Sequence, residues 1–188
     1  GPDITRRKIK REKIRQNEYY YRTILRSLPG TDIHLIDRNL RIVMSDGSEM
    51  LKYERTPQYF EGKFLNERVS PKIFSFLKPY IENTFRKISS TAERSFEDSW
   101  YEYHFQYLDD YQKKNQYCIL IIRNITEKRK NQKRINLLSS IIENSSNHAS
   151  IKDLELRFIA ANRALVKDSG YSSEEEFLGK TDLEIFGD

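Results

Sequence analysis

The sequence predicts an α+β fold laid out as strand, strand, helices and three further strands, flanked by amphipathic helices, and it begins to state that layout again within its 188 residues. Two observations carry the prediction. The first is internal repetition: D-R-N-L-R-I-V at Asp37–Val43 returns as D-L-E-L-R-F-I at Asp153–Ile159, and D-I-T-R-R-K at Asp3–Lys8 returns as N-I-T-E-K-R-K at Asn124–Lys130. The strand motifs lie 116 residues apart and the I-T motifs 121, so the repeating unit is a domain and not a solenoid repeat of about 20–50 residues. The second is that hydrophobic spacing switches between the helical and the two-residue period in an orderly series.

In chain order, Ile14, Tyr21 and Leu28 stand seven apart, with Ile24 three after Tyr21, and Pro29-Gly30 closes the segment: a helix with a heptad seam. Residues 33–37 and 40–45 read as two strands of a tight hairpin joined at Arg38-Asn39. Ser70 before Pro71 is an N-cap with proline at the first helical position, opening an apolar-faced helix from Ile73 to Ile88 that Pro79 is expected to kink. Three strands follow at 94–98, 100–108 and 116–124. In the middle one Tyr101, Tyr103, Phe105 and Tyr107 share a face, with Trp100, Glu102, His104 and Gln106 on the other. The last, Y-C-I-L-I-I, is apolar on both faces and should lie inside the sheet, covered on one side by the kinked helix and on the other by the leading helix or a dimer partner.

The second I-T motif opens another helix, with Ile135, Leu138 and Ile142 on its seam, and the strand hairpin then returns. Beyond it, Asn162 should cap a short helix ended by Gly170, and Ser173-x-x-Glu176 reads as a capping box. These elements give the expected organisation: residues 1–16, the end of a preceding unit and a basic linker helix; 17–126, a complete domain; 127–143, a linker helix; 144–188, the first part of a second domain. Gly1-Pro2 reads as a tag-cleavage remnant, and the native protein is expected to continue beyond Asp188.

Composition narrows the function classes. At 37% hydrophobic, 12% aromatic and 32% charged, the chain is too apolar and aromatic for disorder. Its longest apolar run, Tyr117–Ile122, is six residues against the roughly 20 that span a bilayer, and no signal peptide opens it. With the lone Cys118, this points to a cytoplasmic setting. The net charge of +5 sits in the connectors: residues 1–17 and 123–134 each carry +5, leaving the rest at −5. Nucleic-acid binding through those basic runs is the weaker reading, because they lie on helical seams, recur once per domain and accompany no DNA-reading motif; a solvated coiled-coil face fits better.

No local pattern supplies catalysis. His34, His104 and His148 are dispersed, and the seven glycines form neither a dinucleotide fingerprint nor a P-loop. His104 is the best-placed axial ligand for haem but reads as an ordinary strand histidine, and Cys118, in an apolar strand, reads as a small hydrophobe and not as a flavin-reactive thiol. The cofactor is therefore unknown, with no haem or flavin-cysteine signature. The aromatics between the hairpin and the late strands could line a small-molecule pocket or fill a core. The candidate lining is Met44, Tyr53, Phe60, Phe64, Phe74, Leu77, Tyr103 and Phe105.

At these motifs the chain resembles the PAS family of sensory domains. The second unit carries K-D-x-x-x-R-F-x-x-A-N at Lys152–Asn162, G-Y-S-x-E-E at Gly170–Glu175 and G-K-T-D at Gly179–Asp182. The complete unit departs by having Met44-Ser45-Asp46-Gly47 where alanine-asparagine would stand, and it ends in a motif similar to the D-I-T-E-R-K exit of PAS domains, with Asn124 in place of aspartate. Asparagine keeps the acceptor and loses the charge. The resemblance implies a five-stranded antiparallel sheet with helices on one face, often enclosing a ligand pocket, and helical linkers that carry a signal. It makes the chain a sensor fragment, as in a bacterial histidine kinase of a two-component system or a diguanylate cyclase, without catalytic residues of its own. Signal relay is expected at Asn124, Ile125, Thr126, Asp37 and Arg41, with a homodimer formed through the linker helices. A ligand-free dimerisation module is the alternative. Thr5 to Ile24 spans 19 residues and Thr126 to Ile141 spans 15, a difference of four that matches a coiled-coil stutter.

Overall fold

The computed structural model describes residues 1–187 and divides the chain into two compact units, Gly1–Glu127 and Lys128–Asp188. The first unit opens with helix α1 (Pro2–Ser27), longer at its start than the heptad seam predicts. It is followed by β1 (Thr31–Asp37) and β2 (Ile42–Gly47), three short helices α2 (Ser48–Lys52), α3 (Pro57–Phe60) and α4 (Leu65–Arg68), helix α5 (Pro71–Phe85), and strands β3 (Ser90–Phe96), β4 (Ser99–Asp109) and β5 (Gln116–Asn124). The strands form one antiparallel sheet in the order β2-β1-β5-β4-β3.

The two-residue period decides which side chains enter the core. On β4, Tyr101, Tyr103 and Phe105 are buried while Trp100, Glu102 and His104 on the opposite parity are only partly covered. Cys118 and Leu120 of β5 and Ile36 of β1 join the inward face. Across it lies α5, started by Pro71 and by the Ser70 hydroxyl, which accepts from the Ile73 amide at 3.3 Å. Its helical spacing points Leu77, Ile81 and Thr84 at the sheet. Leu77 and Ile81 each contribute about 2 kcal/mol by burial. Pro79 sits inside α5 on its exposed side, where the Ser75 carbonyl that loses its helical donor lies on the solvent side. The outward residues of β5, Ile119 and Ile121, are half-buried.

The sequence repeat is visible atom by atom. In β1–β2 the Asp37 carboxylate accepts from the Asn39 and Arg41 amides, Leu40 adopts φ 63°, and Arg41 donates to the Gly62 carbonyl. In the second unit Asp153 accepts from the Glu155 and Arg157 amides, Leu156 adopts φ 60°, and Arg157 donates to the Gly179 carbonyl. That unit comprises most of α6 (Thr126–Glu143), the hairpin β6 (Ser150–Lys152) and β7 (Phe158–Ala161), and the short helices α7 (Arg163–Asp168), α8 (Glu174–Phe177) and α9 (Asp182–Phe186), with Phe158, Leu165, Val166 and Phe177 at its core. Asn162 caps α7 by accepting from the Leu165 amide. The expected capping box at Ser173 does not form; the box is built instead by Thr181 and Glu184 at α9, while Glu176 is taken by the Ser172 hydroxyl.

Candidate functional site

Between the sheet and helices α2 to α5 the first unit holds a cavity of about 450 Å³. Its exposed wall surface is mostly apolar, with Ile36, Ile42, Leu65, Leu77, Leu120 and Ile122 contributing, and its polar groups are Asp32 and His34 of β1, Glu49 of α2, Tyr101 and Tyr103 of β4, and Tyr53, Arg55, Arg68, Ser70 and Glu97 from the flanking segments. That composition, and a volume inside the range of about 300–1,000 Å³ typical of ligand pockets, fit a small-molecule site.

Burial governs the titration of these groups. Asp32 is pushed up to about 6 by desolvation, although its Oδ1 accepts from the Met50 amide at 2.8 Å, and the nearby Glu49 and Asp46 charges add to the rise. Burial lowers His34 to about 4, so its ring is neutral at pH 7; Nδ1 meets the Ser45 hydroxyl at 2.6 Å. Burial, with Tyr53 and Glu49 as neighbours, raises the Tyr101 hydroxyl. Because the folded state holds the Asp32 proton more tightly than the unfolded chain, Asp32 stabilises at acid pH and loses that contribution as pH rises from about 4 through about 6. Asp32→Asn should flatten this decline in a urea-unfolding series taken across pH 4 to pH 7.

The cavity is joined to the exit of the domain by one carboxylate. Glu49, 6% exposed, accepts through Oε1 from the Tyr101 hydroxyl at 3.1 Å and from the Asn124 amide nitrogen at 2.9 Å. Asn124 Oδ1 in turn accepts from the Thr126 amide at 3.0 Å and the Thr126 hydroxyl at 2.6 Å. The Thr126 hydroxyl accepts from the Trp100 amide at 2.9 Å, and the buried Ile125 donates its amide to the Trp100 carbonyl. Asparagine suits this position because Glu49 needs a donor; an aspartate would set two carboxylates against each other. Thr126 is the first residue of α6, so the chain of hydrogen bonds runs from the cavity wall to the start of that helix.

A second joint holds α1. The Asp46 carboxylate, fully buried, accepts from Arg22 Nη1 at 2.9 Å and from Arg26 Nε at 2.8 Å. Burial pushes Asp46 up, but the hydrogen bonds from Arg26 and Arg22 outweigh it and hold the group below its ordinary value. Arg22 also reaches Glu61 at 3.0 Å. In the repeat, the residue 116 positions on is Asn162, which accepts from the Ala149 amide and donates to the carbonyls of Ile142, on α6, and Asn147.

Of the candidate pocket residues, Tyr53, Phe60, Leu77 and Tyr103 line the cavity. A bulge at Val43 pairs Met44 with Leu35 and Ile42 with Ile36, so Met44 faces away from the cavity although it is two residues from Ile42; Phe64 is exposed beneath the Arg41 guanidinium; Phe74 packs against the core; and Phe105 is stacked on Tyr80 in the core. Asn124, Ile125 and Thr126 come together at the exit, whereas Asp37 and Arg41 stand at the opposite end of β1, about 20 Å along the strand. His104 points away from the cavity and bonds Glu102 at 2.7 Å, and burial pushes the Cys118 thiol up to about 11. Asp32, His34, Glu49 and Tyr101 were not among the expected site residues. The available signal was parity, since Asp32 and His34 share the face of Ile36.

The first unit therefore has the PAS-like fold implied by its motifs: a five-stranded antiparallel sheet with helices over one face. No family model matches the chain, and no curated protein does. Among similar solved structures is a sensory box sensor histidine kinase from Vibrio cholerae, at 12% identity, covering 65% of this chain and 98% of that one, with a TM-score of 0.44. The PAS domain of Bordetella pertussis BvgS is 12% identical over 67% of this chain and 98% of its own, TM-score 0.45. A domain of an HTR-like protein from Haloarcula marismortui is 15% identical over 52% and 99%, TM-score 0.46. Among the described residues no helix is long and apolar enough to cross a membrane.

Proposed function

We propose that this chain is a cytoplasmic sensory module of the PAS type: a small molecule in the cavity of the first unit alters the hold of Glu49 on Asn124, and α6 passes the change to an output domain outside this chain. The observation that carries the reading is the single oxygen, Glu49 Oε1, shared by a cavity-wall hydroxyl and the exit amide. A ligand that binds two arrangements of this bond unequally shifts their populations by that difference. A bacterial histidine kinase is the parent protein that best fits such a module, with residues 17–126 as the complete domain and 144–188 as the start of the next.

Dimerisation through the helices completes the proposal. Ile9, Ile14, Tyr21 and Ile24 of α1 and Ile135, Leu138 and Ile142 of α6 are all exposed, and no residue of either helix is buried. Apolar side chains at helical spacing without a cover call for a partner, and a second copy of the same seam supplies one. Filling the cavity with Leu77→Trp should mimic occupancy. Amide exchange at Thr126, whose N–H bonds Asn124, is expected to change at least threefold, and native mass should give a dimer. Unaltered exchange at Thr126 with a correctly folded sheet would refute the relay.

A further inference from the structure

We propose that the cavity takes a small organic cation, a primary ammonium seated between Asp32 and Glu49 with an apolar body lying over Ile36, Leu77 and Leu120. The assignment rests on the sensory reading above and names its ligand class.

Three buried carboxylates lie around β1 and β2, and they are treated differently. Asp46 is met by two guanidinium groups. Asp32 and Glu49 are 7% and 6% exposed and among the described residues meet only neutral donors: the Met50 and Glu49 backbone amides for the first, the Tyr101 hydroxyl and the Asn124 side-chain amide for the second. Buried carboxylates without a cation carry a desolvation cost that neutral hydrogen bonds repay only in part. The cations of the cavity wall are engaged elsewhere. Arg55 and Arg68 lie over the Tyr59 ring at 4.2 and 4.6 Å, and Arg68 Nε donates to the Tyr59 carbonyl.

A third polar group lines the same cavity. His34 is 8% exposed and lines the cavity; Nδ1 is taken by Ser45, and Nε2 has no hydrogen-bond partner among the described residues. In the tautomer with its proton on Nδ1, donating to the Ser45 hydroxyl, the Nε2 on the same cavity wall is an acceptor for an N–H-bearing head group. A metal ion suits the site less well, since among the described residues no three His, Cys, Asp or Glu side chains are grouped to hold one. The apolar remainder of the 450 Å³ space then accepts a hydrocarbon or ring.

The test is calorimetric titration of the whole chain with three near-isosteric probes: 2-phenylethylamine, 2-phenylethanol and 3-phenylpropionate. The amine should bind at least tenfold more tightly than either of the others at pH 7.5, and Asp32→Asn should remove most of that preference. Should that variant fail to fold, the wild type still reports: amine affinity must fall as pH drops through about 6, where Asp32 takes up its proton. The titratable and charged groups facing Asp32 are Glu49 on α2, Asp46 on β2 with its partners Arg22 and Arg26 on α1, His34, Tyr101 and Tyr103, and at the cavity wall Tyr53, Arg55, Arg68 and Glu97. An amine that binds no better than the alcohol, or a preference for the carboxylate, overturns the assignment. In those cases the sensory reading is judged separately, by whether the bound probe or Leu77→Trp alters exchange at Thr126.

Discussion

Replacing Arg22 and Arg26 together by alanine is expected to lower the unfolding free energy by about 3 kcal/mol, because it leaves a buried carboxylate without its counter-charges. Asp46 is fully buried, and with both arginines gone its one remaining donor among the described residues is the Gly47 amide at 2.9 Å. The loss is not a general property of the arginines, which are 24% and 44% exposed and would cost little if they merely decorated the surface. Adding Asp46→Asn to the double variant should restore a large part of the stability by removing the stranded charge. Urea unfolding of the three proteins separates the cases; a double variant within about 0.5 kcal/mol of wild type would show that α1 is held by something else. The sign with pH follows from the lowered Asp46 value: its stabilisation is complete above the unfolded carboxylate range and is lost as pH falls through the folded value.

Gly47→Ala should be at least as damaging, with a loss of about 3 kcal/mol or more. Gly47 has φ 152°, which L side chains rarely adopt, and a β-carbon there would collide with the Thr31 carbonyl oxygen and with Asp32. Both obstacles belong to β1, paired across the sheet with Gly47 through Asp32, so neither can swing aside as the end of a long side chain would. The expected readout is a large fall in the urea midpoint, accompanied by loss of the Met50 amide bond to Asp32 in amide exchange. A folded, wild-type-like Gly47→Ala protein would require a backbone path between β2 and α2 different from the one described.

The sheet was legible in the sequence because its strands alternate and its turns are punctuated, and the repeat was legible because Asp37, Arg41 and Gly62 perform the same turn chemistry as Asp153, Arg157 and Gly179. The cavity was not. In β1 the apolar residues Ile33 and Leu35 suggest an inward face, yet Asp32, His34 and Ile36 are the ones turned toward the helices. Ordinary alternation places polar residues outward; here the cavity and the α2 backbone accommodate them, with the Met50 amide meeting Asp32 and Ser45 meeting His34. Glu49 was invisible for a different reason, since its partners lie 52 and 75 residues away and no local pattern marks them. Of the residues suggested for the pocket, Tyr103 reaches the cavity, Phe105 on the same strand face is covered by Tyr80, and Met44 is turned away by the bulge in β2, which no local pattern announces.

Coupling between cavity and exit through Glu49 is tested most directly by a double-mutant cycle read by amide exchange at Thr126, comparing Leu77→Trp in the wild-type background with Leu77→Trp in a Glu49→Gln background. The account predicts that filling the cavity changes exchange at Thr126 in the first case and has little or no effect in the second. The same change in both backgrounds would contradict it.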